Sequence, residues 1–202
     1  MITLAIDTST SRGSVAIFAY GDMVFDETFM ADRSHSSSLF AALERARGCA
    51  PRFHQVAIGL GPGSFAGIRI AIAAALGFEL SLRAVLVGLP SVVALETGAE
   101  EYLAIGDARR DTFYFSHVQN RECLDGPRLV TEGELRDLLD GYHSLPSYSC
   151  ESLPQFASTR SALPSAAILA RLADAGKSVV ATCDLEPIYL REPHITQPKP
   201  RA

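Results

Sequence analysis

Two aspartates and a glycine-rich turn are the groups in this chain whose types and spacing could do chemistry. Asp7 opens the run Asp7-Thr8-Ser9-Thr10, a carboxylate followed by three hydroxyls. At a strand end such a group could hold a metal-bound water or a phosphate. The same residue types also make ordinary turns by bonding to nearby backbone groups, and residue type alone favours the turn. Asp107, in Asp107-Ala108-Arg109, poses the same choice. Between them lies Gly61-Pro62-Gly63-Ser64-Phe65-Ala66-Gly67-Ile68-Arg69. Glycine reaches positive φ and lets another group come close to the main chain. A strand, a Gly-rich turn and a helix start can together bind an anion through free N–H groups and the helix dipole. The spacing is neither a nucleotide P-loop, since no Lys-Ser or Lys-Thr follows the last glycine, nor G-x-G-x-x-G. Asp7, Ser9, Gly61, Gly63, Ser64 and Asp107 are thus the candidate remnant of a phosphate site, with close approach of another backbone as the competing use.

Other chemistries find little support. Ser64 sits in Gly-Pro-Gly-Ser-Phe rather than Gly-x-Ser-x-Gly, so no nucleophile is expected and no catalytic residue is assigned. His35 has no second histidine one helical turn away, and the other four histidines are isolated. Cys49, Cys123, Cys150 and Cys183 contain no C-x-x-C, so no metal site is expected and reduced structural thiols are. The net charge of −5 argues against a protein that grips RNA or DNA unaided. The N-terminus has no signal-peptide pattern, and the apolar stretch 68–82, which contains Arg69 and Glu79, reads as too short to span a membrane. A cytoplasmic protein is the expectation.

The elements that must position these residues follow from periodicity. Residues 2–7 read as a buried strand, and 14–20 with 23–29 as a hairpin around Gly21-Asp22. Residues 39–48 carry helical spacing, 55–60 a strand, 68–82 an Ala-rich helix, 84–88 a strand and 90–97 another helix. Strands at 102–107 and 112–118 open the second half. Thr131-Glu132-Gly133-Glu134 predicts a capping box, and 164–175 a helix stopped by Gly176. Residues 146–159 read as a loop and 179–182 as a strand. The expected fold is α/β with mixed sheets, the first half ordered as in ribonuclease H-like folds. A hairpin with an acidic residue opens each half, which points to a duplication whose second copy is too short to be complete. The helix at 68–82 is apolar nearly all round, so it must be covered on more than one side. Its covering layer is either the second half of the chain or another subunit.

In combination, Asp7-Thr8-Ser9-Thr10, Gly61 to Arg69, Asp107-Ala108-Arg109 with Phe113-Tyr114, and Glu186-Pro187-Ile188-Tyr189-Leu190-Arg191 resemble the TsaB (YeaZ) family. The resemblance covers most of the first half and both ends of the second. It departs from the family pattern at Ala66, at Asp111 after Arg109-Arg110, and in a shortened segment at about 142–162. It implies the actin-like ATPase (ASKHA) fold of two ribonuclease H-like lobes, the second shortened: 1–100 as the first lobe, 101–192 as the second, 193–202 as a loose tail. The implied function is that of a non-catalytic subunit in forming N6-threonylcarbamoyladenosine at position 37 of tRNA. The implied partners are the catalytic TsaD, as a heterodimer, and the ATPase TsaE, with a homodimer in their absence, tRNA contacted indirectly and no membrane. No cofactor is implied, save ATP or ADP at the interface of the complex. The partner-binding face falls on the first two helices, here Leu39, Leu43, Ile70, Ala71, Ala74, Ala75 and Phe78. The competing expectation is a small actin-like ATPase or kinase using Asp7 and Asp107 around Mg-ATP.

Overall fold

The first strand shows how this sequence is layered. In β1 (Ile2–Asp7) the large residues Leu4 and Ile6 face one way, and Thr3, Ala5 and Asp7 the other. The same division runs through β2 (Arg12–Ala19) and β4 (Gln55–Gly59), where Val15, Ile17, Val56 and Ile58 oppose Ala16 and Ala57. Alternation on a pleated strand turns such a pattern into two unlike faces. The computed structural model describes residues 1–30, 35–182 and 184–191. The large-residue face is covered by helices α1 (His35–Cys49) and α2 (Phe65–Leu82), and the small-residue face by α4 (Ala166–Asp174).

With β3 (Asp22–Met30), β5 (Val85–Leu89) and β11 (Ala181–Thr182), the first sheet runs β11-β5-β4-β1-β2-β3. β1, β4 and β5 are parallel; β2 and β11 run against them, and β3, antiparallel to β2, runs their way again. The second sheet contains β6 (Glu101–Asp107), β7 (Thr112–Gln119), β8 (Glu122–Thr131), β9 (Ser147–Ser149) and β10 (Arg160–Ser161), in the order β10-β9-β6-β7-β8. Helix α3 (Glu132–Gly141) starts at the predicted capping box, with the Thr131 hydroxyl accepting from the Glu134 amide and Glu134 from the Thr131 amide. It covers Leu103, Ile105, Phe115 and Val130. Matched strand for strand, the second sheet repeats β5-β4-β1-β2-β3. The duplication therefore retains all five strands, and the shortening falls on the counterpart of α2, a 3₁₀ turn at Pro154–Phe156.

Several expectations are corrected. The helix expected at 90–97 is one 3₁₀ turn, Ser91–Ala94. The carbonyls that would continue it are taken from the side: Val92 accepts from the Tyr102 hydroxyl, and Val93, Leu95 and Thr97 accept from the Arg121 guanidinium. β8 was missed because Gly126-Pro127 interrupts its alternation, with Gly126 at φ 83°. The span 146–159 read as a loop contains β9, a Ser-Tyr-Ser strand without an apolar run. α2 begins three residues before the apolar run, so its 18 residues are long and apolar enough to cross a membrane by length and composition. Gly67, Ile68, Ala71, Ile72, Ala74 and Ala75 nonetheless pack inward, as in a core helix. Finally, α4 and β11 return to the first sheet, so a division at residue 100 does not separate the lobes. The expected tail at 193–202 lies outside the described residues.

Candidate functional site

β1 ends by burying Asp7, which is 1% exposed. Its Oδ1 accepts from the Ser9 amide at 2.9 Å and the Ser9 hydroxyl at 2.7 Å. Among the described residues Oδ2 has no hydrogen-bond partner, and it lies where a Cβ on Gly59 would come within 1.9 Å. Burial holds the Asp7 carboxyl above its ordinary range, against the lowering effects of the Ser9 bonds, nearby Ser91 and the charge of Arg12. This is the local Asp/Ser turn that residue type favours, closed upon itself.

The glycine loop is stapled to that turn. The Ser64 amide donates to the Ser9 carbonyl at 2.7 Å, and the Thr8 hydroxyl to the Gly67 carbonyl at 2.8 Å. A Cβ on Gly63 would lie 2.1 Å from the Ser9 carbonyl oxygen, and one on Gly67 2.1 Å from that of Thr8. Close approach of chain to chain is thus what both glycines permit. Three of the N–H groups that might cradle an anion, those of Gly61, Ser64 and Gly67, are committed. The Gly61 amide bonds the Ser91 hydroxyl at 3.0 Å, and the Gly67 amide bonds the capping hydroxyl of Ser64 at 3.2 Å.

Across from this loop, the turn after β6 carries Asp107. It accepts from the Arg109 amide at 2.6 Å and pairs with the Arg109 guanidinium at 3.2 Å. Its own amide donates to Glu151 at 2.7 Å. Arg109, Arg110 and Asp111 all adopt left-handed φ, between 54° and 67°. Between the two turns opens a cleft of about 720 Å³. Of the candidate phosphate residues, Ser9, Gly63, Ser64 and Asp107 line it, while Asp7 and Gly61 do not. Tyr114, Cys150, Glu151 and residues 187–191 also line it, and sequence reasoning assigned them no place there. Phe113-Tyr114 and the Glu186–Arg191 motif gave a signal through the resemblance, with no spacing to tie either to a cleft. Burial pushes the Cys150 thiol up to about 12, so it is protonated and unreactive at neutral pH. Among the described residues, no cluster of His, Cys, Asp and Glu is arranged to hold a metal ion.

The expected partner-binding residues divide. Leu39, Leu43, Ala71, Ala74 and Ala75 are buried in this chain's own core, and Ile70 and Phe78 pack partly against it. The surface that the two helices leave open includes Phe40, Ala73, Leu76, Gly77 and Leu80, with Leu80 84% exposed, beside charged residues such as Glu44 and Arg69. The residues expected at the partner face thus lie on the inward side of the two helices. Beside α2, a shallower groove of about 230 Å³ runs between Arg69, Ala73 and Leu76 on one side and Leu185, Pro187 and Tyr189 on the other.

Comparison with known proteins places these features. Residues 30–132 match the family described as TsaD, tRNA N6-adenosine threonylcarbamoyltransferase. The chain is 28% identical to the tRNA threonylcarbamoyladenosine biosynthesis protein TsaB of Escherichia coli (strain K12), covering 95% of each chain. It is 25% identical to the protein of that name from Haemophilus influenzae, over 93% of this chain and 92% of that one. In structure it resembles a Pseudomonas aeruginosa protein described by its similarity to the peptidase YEAZ, with a TM-score of 0.76 and 24% identity. That match covers 94% of this chain and 99% of the other. YeaZ from Pseudomonas aeruginosa gives a TM-score of 0.71. The two mixed sheets with their duplicated strand order are thus the fold of these YeaZ structures.

Proposed function

The chain belongs to the TsaD-type family, on its TsaB (YeaZ) branch, and from that premise we propose that it is a non-catalytic subunit in tRNA threonylcarbamoyladenosine formation that binds and supports TsaD. The observation that carries the binding role is the open face of α2. Leu76 and Leu80, one helical turn apart, stand exposed beside Ala73 and Gly77, small residues that let another helix approach closely. A contiguous apolar face of this kind marks an interaction site. The ATPase alternative is disfavoured by the groups it needs. Asp7 lies buried outside the cleft, Asp107 is occupied by Arg109, and the loop amides of Gly61, Ser64 and Gly67 already bond within the chain. A peptidase is disfavoured because Ser64 caps a helix while His54, His117 and His143 are bonded elsewhere. TsaE as a further partner and indirect contact with tRNA belong to the same reading, as does action in the cytoplasm.

The test is co-purification with TsaD. Wild-type chain should be retained, and Leu76→Glu and Leu80→Glu should be lost while their unfolding midpoints stay unchanged. Retention of both variants at wild-type levels would remove α2 from the interface. In cells depleted of the chain, mass spectrometry of tRNA nucleosides should show loss of threonylcarbamoyladenosine.

A further inference from the structure

We propose that residues 185–191 form a strap that fixes the angle between the two lobes by tying them together across the mouth of the cleft. At one end Leu185 is buried in the α1–α2 core of the first lobe. The Ile188 amide donates to the Leu60 carbonyl at 2.8 Å, and the Tyr189 ring lies 5.6 Å from that of Phe65 at the start of α2. At the other end the Arg191 guanidinium donates to the Arg109 carbonyl at 2.9 Å, on the turn after β6, and to the Thr112 hydroxyl at the start of β7, both in the second lobe. Both bonds leave one guanidinium nitrogen, Nη2, whose two N–H groups serve the two acceptors. Residues 187–191 line the cleft between these anchorages.

The lobes already meet at the buried turn Ser91–Ala94, bonded to Tyr102 and Arg121 of the second lobe. They also share a buried cluster in which Ala5, Ala16 and Ala57 of the first sheet pack with α4 and with Tyr102 and Ala104 of the second. Bodies joined along such a seam can still open at a cleft, as in hinged closure around ligands. A second tie across the gap removes that freedom. The chain that crosses the cleft therefore does the work that a bound ligand does in a hinged enzyme, and a ligand entering must lift it.

The test uses amide exchange followed by NMR on the full chain, with a readout on the lobe that each variant does not touch. Arg191→Ala removes the second-lobe latch, and its diagnostic is the Ser64 amide of the first lobe. Tyr189→Ala removes the first-lobe ring contact, and its diagnostics are the Ala108 and Thr112 amides of the second. With a strap, each variant speeds exchange on the opposite side about tenfold, the scale of one charged hydrogen bond or ring contact. Acceleration confined to residues 184–191 and the side touched overturns the proposal, leaving a local tether. Acceleration throughout β1 and β6 also overturns it, since the segment would then be part of the global fold.

Discussion

Gly63 shows what a single hydrogen atom in place of a side chain is for. It sits at φ 157°, and a Cβ there would stand 2.1 Å from the Ser9 carbonyl oxygen, which is backbone and cannot step aside. Gly77, inside α2, meets nothing within 4 Å. Gly63→Ala should therefore destabilise by more than about 2 kcal/mol, while Gly77→Ala should stabilise by about 1 kcal/mol through helix propensity. Urea unfolding of the two variants checks both signs. Asp7 offers a second test. Its carboxyl is raised by burial, so the folded state binds the proton more tightly than the unfolded state does. Stability from this group is present below pH 3.8, its unfolded value, and falls as pH rises toward the raised native value. Asp7→Asn keeps an oxygen for Ser9 and has no charge to desolvate. It should match or exceed wild-type stability at pH 7 and should lose that part of the decline above pH 3.8. A pH series of urea midpoints decides; an Asn variant markedly weaker at pH 7 would show that the carboxylate is needed charged. At this scale the sequence named Asp7 and the glycines but not their partners. Ser9 meets Asp7 through a local turn, but the Ser9 and Thr8 carbonyls and the Ser91 hydroxyl meet the glycines only through the fold.

α2 is the element where local pattern and environment part company. Its composition is apolar on every side, and no periodicity says which side the sheet will cover. The answer came from β4 and β1: with Ile58, Val56 and Ile6 facing it, the stripe Ile68, Ala71, Ile72 and Ala75 turned inward, and Ala73, Leu76 and Leu80 remained outside. Ala75→Glu should thus cost several kcal/mol, since it places a carboxylate among fully buried residues. Leu80→Glu, at a site 84% exposed, should stay within about 0.5 kcal/mol. Thermal unfolding of the pair measures the difference, and equal effects would mean that the helix faces the sheet differently. Other elements were legible for plain reasons. The capping box at Thr131 is local chemistry, and the alternation in β1 and β2 is strong. The turn at Ser91–Ala94 was not, because the groups that stop it from becoming a helix are Tyr102 and Arg121, on strands and turns further along the chain.

At the scale of the molecule, the strand order repeats: the turn after β1 and the turn after β6 occupy equivalent places and face each other across the cleft. The acidic residue at each of these turns was visible as a hint of duplication. What was not visible is that the halves exchange material. α4 lies on Ala5, Ala16 and Ala57, and the Ala166 amide at its start bonds the Ser14 hydroxyl at 2.9 Å, across 152 residues of sequence. β11 pairs with β5 through Ala181 and Thr182. A fragment of residues 1–100 has the first five strands and two helices, yet one whole face of its sheet lies bare. It should show no slowly exchanging amides and should aggregate, whereas the full chain folds; heteronuclear NMR of the two settles it. A fragment with a dispersed native spectrum would make α4 an accessory to the first lobe. The same return of α4 and β11 has a consequence for synthesis. At a translation rate of about 5–20 residues per second, roughly four to sixteen seconds pass between residue 100 and residue 182. Throughout that interval the nascent first lobe carries an uncovered alanine face, so the part of the protein made first is the part completed last, and its greatest need for a chaperone falls while the ribosome still holds it.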